Sequence, residues 1–123
     1  MAKVLVVDDD FDLVSLVTEV LEKDGYQVES ALEASEGMRK AREVKPDLII
    51  LDFHMPGSNG AHLFENLRRN QSSALTPIIF MSGEASPEEI FSQTCGPEHC
   101  RFLAKPVALN DLREAIHQML EKV

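Results

Sequence analysis

Leu48-Ile49-Ile50-Leu51-Asp52-Phe53-His54-Met55-Pro56-Gly57-Ser58-Asn59-Gly60 decides how this chain is read. A wholly apolar run stops at a single carboxylate, and Pro56, Gly57, Asn59 and Gly60 mark a turn behind it. A short unbroken apolar run reads as a strand buried on both faces, the habit of parallel sheets in α/β folds. In such sheets chemistry gathers at the carboxyl ends of the strands. Asp52 stands at that position. Asp is also a common turn and capping residue, so this strand alone leaves both readings open. The rest of the chain decides between them.

Working outward, Lys3 to Val7 is a β-branched run that ends at Asp8, Asp9 and Asp10. A helix follows, with Leu13, Leu16, Val17, Val20 and Leu21 at the spacing of one buried stripe. Gly25 lies just past its end, where a left-handed residue is wanted. Tyr26 to Ala31 reads as an edge strand. Ala34 to Val44 is a weaker helix with Met38, Ala41 and Val44 turned inward, closed by Pro46. The central strand covers Asp47 to Leu51. Asn59 to Asn70 is a third helix carrying Leu63, Phe64 and Leu67.

Pro77 to Met81 is a fourth strand, ending at Ser82-Gly83-Glu84. Ser86-Pro87-Glu88-Glu89 opens a short fourth helix with a capping Ser, Pro at its first position and acids in its first turn. Gly96-Pro97 stops it near Thr94. Cys100 to Ala104 is a fifth strand, followed by Lys105-Pro106. The last helix spans about Ala108 to Lys122, with Leu112, Ile116, Met119 and Leu120 inward; Ala108 stands where a capping Ser or Thr is expected.

Five βα repeats imply an α/β, doubly wound, five-stranded parallel sheet of the flavodoxin-like kind, with strand order 2-1-3-4-5 and five helices on its two faces. No linker, repeat or low-complexity tract interrupts it, and the 123 residues have the size of one compact domain. The expectation is a single domain over residues 1–123 with no second domain.

Composition narrows the function classes. Net charge is -9, with 21 acids against 12 Lys and Arg, which opposes direct nucleic-acid binding. No apolar run is long enough to span a membrane and no signal peptide leads the chain, so a cytoplasmic location is expected. Cys95 and Cys100 fit a reducing compartment and need not be bonded. Their C-x4-C spacing around His99 lacks a second ligand pair, so zinc is not expected.

The strand ends together supply Asp8, Asp9, Asp52, Ser82 and Lys105. Crowded carboxylates repel unless protonated or met by a cation. Hard oxygen ligands suit Mg2+. A carboxylate becomes a competent nucleophile toward phosphorus when cations neutralise the phosphoryl oxygens. Asp52, alone at its strand end, is the apparent acceptor, and the acid pair faces it. Asp10 reads as a first-turn acid of the first helix.

These residues carry a resemblance. Val6-Val7-Asp8-Asp9-Asp10, the Leu51 to Gly60 loop, Met81-Ser82-Gly83-Glu84 and Leu103-Ala104-Lys105-Pro106 together resemble, across essentially the whole chain, the response-regulator receiver domain of bacterial two-component signalling systems. The resemblance implies a phosphorylation-dependent switch: Asp52 is the phosphoacceptor, and Asp8, Asp9, Asp52 and the His54 backbone carbonyl bind Mg2+. It makes Ser82 and Lys105 the catalytic partners, with a cis bond at Lys105-Pro106. Ser82 and Phe102 are the switch positions, Phe102 standing in place of the more familiar Tyr; without the family it is one more core aromatic.

His54, Glu84 and Gly83 occupy positions that modulate hydrolysis in the family, His54 and Glu84 meeting over the site to restrict water; the plain alternative is two solvated side chains and a turn glycine. The implied partners are a histidine kinase or phosphotransfer protein and an output domain or downstream protein, met through the face of the fourth helix, fifth strand and last helix. The implied state is a monomer or weak dimer. No enzyme activity is expected beyond the domain's own phosphorylation and slow dephosphorylation.

Other classes fit less well. An aspartyl-phosphate hydrolase of the haloacid-dehalogenase kind wants a second Asp where His54 stands. A flavin or nucleotide carrier wants a Ser/Gly-rich phosphate loop where Asp8-Asp9-Asp10 stands. A pseudo-receiver, a binding module without phosphotransfer, remains the alternative that the full acid, Ser and Lys set argues against.

Overall fold

The computed structural model describes residues 2–52, 54–55, 58–59, 66–69, 76–83 and 100–121, of which 54, 55, 58, 59 and 121 are described by backbone alone. Strands β1 (Lys3–Val7), β2 (Gln27–Ala31), β3 (Leu48–Asp52), β6 (Ile78–Ser82) and β7 (Cys100–Ala104) form one sheet in the order β2-β1-β3-β6-β7. All four pairings are parallel. This is the expected order. A two-stranded antiparallel hairpin, β4 (His54–Met55) with β5 (Ser58–Asn59), stands apart from the sheet. The sequence reading has a turn here and starts its third helix at Asn59; the structure places Asn59 in β5 instead, and of that helix it describes residues 66–69.

Alternation along each strand divides the core between the two faces. Leu5, Val7, Ile49, Leu51, Ile78 and Phe80 pack on one side with Ala41 and Met38 of α2 (Ala34–Val44) and with Leu67 of α3, helical over residues 66–69. Val4, Val6, Leu48, Ile50, Ile79 and Met81 pack on the other side. Their partners are Val14, Val17 and Leu21 of α1 (Phe11–Lys23) and Leu112, Ile116 and Met119 of the last helix (Leu109–Glu121). Strands β3 and β6 are buried at every residue, which is why they read as continuous apolar runs. Each such aliphatic side chain contributes roughly 1.5–3 kcal/mol by leaving water.

Three details depart from the sequence reading. The buried stripe of α1 is Val14, Val17 and Leu21, whereas Leu16 is 46% exposed. Leu13 packs against the same core only in part. Asp10 caps α1 and does not sit in its first turn; its carboxylate accepts from the Leu13 N–H at 3.2 Å. Cys100 is disulfide-bonded, where no bond was required. Residues 86–94, the expected fourth helix, and Leu63 and Phe64 lie outside the described residues.

Gly25 adopts φ 96 after α1, as its position requires. Lys45 closes α2 with φ 53, a left-handed cap on a non-glycine residue. At Gly37 the helix comes close to β1: a Cβ there would lie 2.9 Å from Val7 Cγ2. Among the described residues no helix is long and apolar enough to cross a membrane.

Candidate functional site: an acid pocket at the carboxyl rim of the sheet

Register places the site. Val7 is level with Ala31 and Leu51, Asp52 with Met81, and Ser82 with Ala104. The residues at or just past these ends are Asp8, Asp52, Ser82 and Lys105, so parallel pairing alone delivers them to one rim. A further tie joins two of the ends: the Lys105 N–H donates to the Ser82 carbonyl at 2.9 Å. The Lys105-Pro106 peptide is cis.

Asp8, Asp9 and Asp52 offer carboxylate oxygens that all lie within 4.8 Å of one another. Asp8 is fully buried, Asp52 and Ser82 nearly so, and Asp9 is exposed. One oxygen of Asp8, Oδ1, accepts from the Asp10 N–H at 2.9 Å. Asp8 is thus held by the same turn that starts α1, and the Asp8-Asp9-Asp10 run does three separate jobs. Lys105 Nζ reaches across to stand 3.0 Å from Asp8 Oδ2 and 3.5 Å from Asp52 Oδ1.

Burial opposes the charge on Lys105, but the close approach of Asp8 and the attraction of Asp52 outweigh it and raise its pKa. The approach to Asp8 is close but not well directed. Its buried Oδ2 has no hydrogen-bond partner of good geometry, and we regard the pair as Coulombic. A buried anionic oxygen without a directed donor is costly. It is also what a hard divalent cation satisfies, beside two further carboxylates at ligand spacing. The residues present therefore fit Mg2+.

Gly83 follows Ser82 at the rim and is exposed. Among the described residues, a Cβ added there would meet Lys105 Cβ at 3.8 Å, an ordinary contact. Phe102 is half-buried on β7, level with Phe80, and packs against the core on the α2 side of the sheet. The His54 side chain and Glu84 lie outside the described residues. Sequence reading named every acid, the Ser and the Lys. It did not foresee that Lys105 pairs with Asp8 as well as Asp52, a contact set by strand register and side-chain length.

The comparisons with known proteins agree with this geometry. Residues 4–117 match the model of the response regulator receiver domain. The chain is 32% identical over 121 residues to Protein PilH of Pseudomonas aeruginosa, covering 98% of each. It is 31% identical to the alkaline phosphatase synthesis transcriptional regulatory protein PhoP of Bacillus subtilis, but spans only 49% of that protein. Among solved structures, the Vibrio cholerae chemotaxis protein CheY4 superimposes with a TM-score of 0.87 at 31% identity, over 97% of this chain and 98% of that one. A CheY-like receiver domain protein of Methanospirillum hungatei gives 0.87 at 28%, over 99% and 95%. With matching motifs, strand order and rim, the chain belongs to the response regulator receiver domain family of two-component signalling.

Proposed function

We propose that this domain is a phosphorylation switch whose acceptor is Asp52. The observation that carries the reading is the meeting of Asp52 with Asp8, Asp9 and Lys105 at one buried rim. An Asp52 carboxylate oxygen attacks the phosphorus of a phosphohistidine on a histidine kinase or phosphotransfer protein. The P–N bond breaks, the imidazole leaves, and an acyl phosphate remains on Asp52. Asp8, Asp9, Asp52 and the His54 carbonyl would hold Mg2+. When bound, the ion supplies charge neutralisation of the phosphoryl oxygens.

Lys105 has two carboxylates to choose from before phosphorylation. The new phosphoryl group carries about -2 charge at pH 7 and draws the ammonium toward its own oxygens. Ser82 donates its hydroxyl to another of them. Moving Ser82 shifts the end of β6, and Phe102 on neighbouring β7 repacks with it. That motion reaches the face of β7, the last helix and the helix expected over residues 86–94, where an output domain or downstream protein docks.

The cycle ends when water attacks the phosphorus and frees Asp52; His54 and Glu84 restrict that water, and Gly83 leaves room for the donor. The domain catalyses only these two steps on itself. The setting is cytoplasmic, and the chain is a monomer or weak dimer.

The test is direct. Incubation with Mg2+ and acetyl phosphate, followed by intact mass measurement, gives a gain of one phosphoryl group. Asp52→Asn and a chelator each abolish it. No gain with the native chain means a binding module without phosphotransfer, and the reading fails.

A further inference from the structure

Among the described residues, β2 pairs with β1 alone and so forms an edge of the sheet. The Gln27 N–H donates to the Ala2 carbonyl at 2.9 Å, and the Asp8 N–H donates to the Ala31 carbonyl at 3.1 Å. Along a strand, the main-chain groups of successive residues point to opposite sides. Gln27, Glu29 and Ala31 therefore face β1, and Val28 and Ser30 turn their groups outward. Lys40 of α2 agrees with this: its ammonium reaches over the edge and donates to the Ser30 carbonyl. No acceptor among the described residues takes the outward N–H of Val28 or Ser30.

The edge lies in a groove. Helices α1 and α2 pack on opposite faces of the sheet and wall β2 on either side. One end of the groove, about 680 Å³, is lined by Phe11 and Val14 of α1, by Ser30 and Leu32, and by Glu36 and Lys40 of α2. The other end, about 600 Å³, lies against Tyr26, Val28 and Val44. Glu22 borders both. Phe11 is 66% exposed and Leu32 42%, so an apolar patch lies open beside unpaired main chain.

Charge selects the occupant. Glu19, Glu29 and Glu43 at the groove pair with Lys23, Lys40 and Arg39. Glu22 on the α1 wall and Glu36 on the α2 wall have no ion pair among the described residues; Glu36 accepts only from the Leu32 N–H, at 3.4 Å. A second copy seated here would set these acids against their own kind, in a chain of net charge -9, and like charges opposed across strands destabilise. We propose that the β2 edge is a docking site for an extended basic segment of a partner protein, added to the sheet as a further strand. Successive side chains of such a strand point to opposite faces, which brings Lys or Arg to Glu22 and Glu36 and an apolar residue to Phe11 and Leu32. In the free domain Lys40 guards the edge, as lysine does on exposed strands. The incoming N–H takes its place on the Ser30 carbonyl, and Lys40 turns to Glu29, 3.9 Å away.

The experiment titrates the full chain, 15N-labelled and kept in Mg2+, with a heptapeptide of alternating Lys and Val. Shift changes are expected to centre on residues 27–31, with slower solvent exchange of the Val28 and Ser30 amides. The same peptide N-methylated throughout cannot donate to an edge and should bind roughly tenfold more weakly. Glu22→Gln with Glu36→Gln should weaken binding roughly three- to tenfold. Equal affinity for the methylated peptide would reduce the effect to plain charge attraction and overturn the proposal. A shift pattern centred on Asp8 and Asp9, or no binding at millimolar peptide, also overturns it. So does self-association of the chain that Ser30→Pro abolishes, since Pro at an outward edge position spares the ladder to β1 and a second copy would then be the occupant. None of these readouts involves phosphorylation, so they stand or fall separately from the role of Asp52.

Discussion

Lys105 Nζ stands 3.0 Å from Asp8 Oδ2, although the two residues are almost the whole chain apart in sequence. The Lys105 ammonium sets positive charge against the buried carboxylates of Asp8 and Asp52. This balance of charge leads to the first two predictions.

Lys105→Met removes the ammonium from beside two carboxylates. The pKa of Lys105 is raised in the fold by Asp8 and Asp52, against the opposing effect of burial. Its stabilisation is therefore fully present below the unfolded value of about 10.4 and is lost as pH rises through the higher folded value. Urea midpoints of the native chain and Lys105→Met are expected to differ at pH 8, to begin drawing together above pH ~10.4, and to meet only past the raised folded value. A gap that persists at high pH would assign the loss to packing.

Asp8→Asn relieves a crowded pocket. Lys105 pairs with Asp8 and Asp52 in a cluster of three carboxylates, so neutralising one leaves the others better matched, and the Asn oxygen still accepts from Asp10 N–H. Without divalent ions we expect the variant to be more stable by about 1–2 kcal/mol. Added Mg2+ should stabilise the native chain, by an amount growing with the logarithm of its concentration once above Kd, and should leave Asp8→Asn unmoved. Urea unfolding with and without Mg2+ measures both.

Asp10→Ala tests whether the third acid of the run is a cap or a ligand. Loss of the side-chain bond to Leu13 N–H should cost about 1 kcal/mol. Mg2+ affinity, followed by titration, should stay within about twofold, since the Asp10 N–H that holds Asp8 remains.

Two substitutions on α2 should act in opposite directions. Lys45→Gly relieves a left-handed cap at φ 53 and should stabilise by about 0.5–1 kcal/mol. Gly37→Ala gains about 1 kcal/mol of helix propensity, but its methyl would sit 2.9 Å from buried Val7 Cγ2, and such overpacking costs roughly 1–3 kcal/mol. A net loss is expected. Thermal unfolding of the two variants decides the signs.

On the proposed function, in which His54 restricts water at the acyl phosphate, His54→Ala should hasten loss of the phosphoryl group. Decay of label from phosphorylated protein measures it; an unchanged rate removes His54 from the hydrolysis step.

The fold was legible because its signals were redundant. Buried β3 and β6 read as apolar runs, Gly25 marked a helix end, and each rim residue closed a strand. Less visible were features that depend on partners far along the chain. Leu16 has helical spacing with the core stripe, yet it is exposed, because spacing alone does not say how much of a helix its neighbours cover. Lys45 carries no mark of a left-handed residue. Lys105 was legible as a site residue, but its second partner became visible only with the register of β1 and β7.

Gly37 has no functional group, yet it constrains the chemistry from beneath. Val7, which it touches, is the last residue of β1 and the immediate neighbour of Asp8. A bulkier residue on that helix would nudge the strand whose next residue must meet Lys105 across the rim. The tolerance of the pocket is thus set partly by a missing methyl behind it, and damage at a chemically silent position would show first as misalignment of the acids.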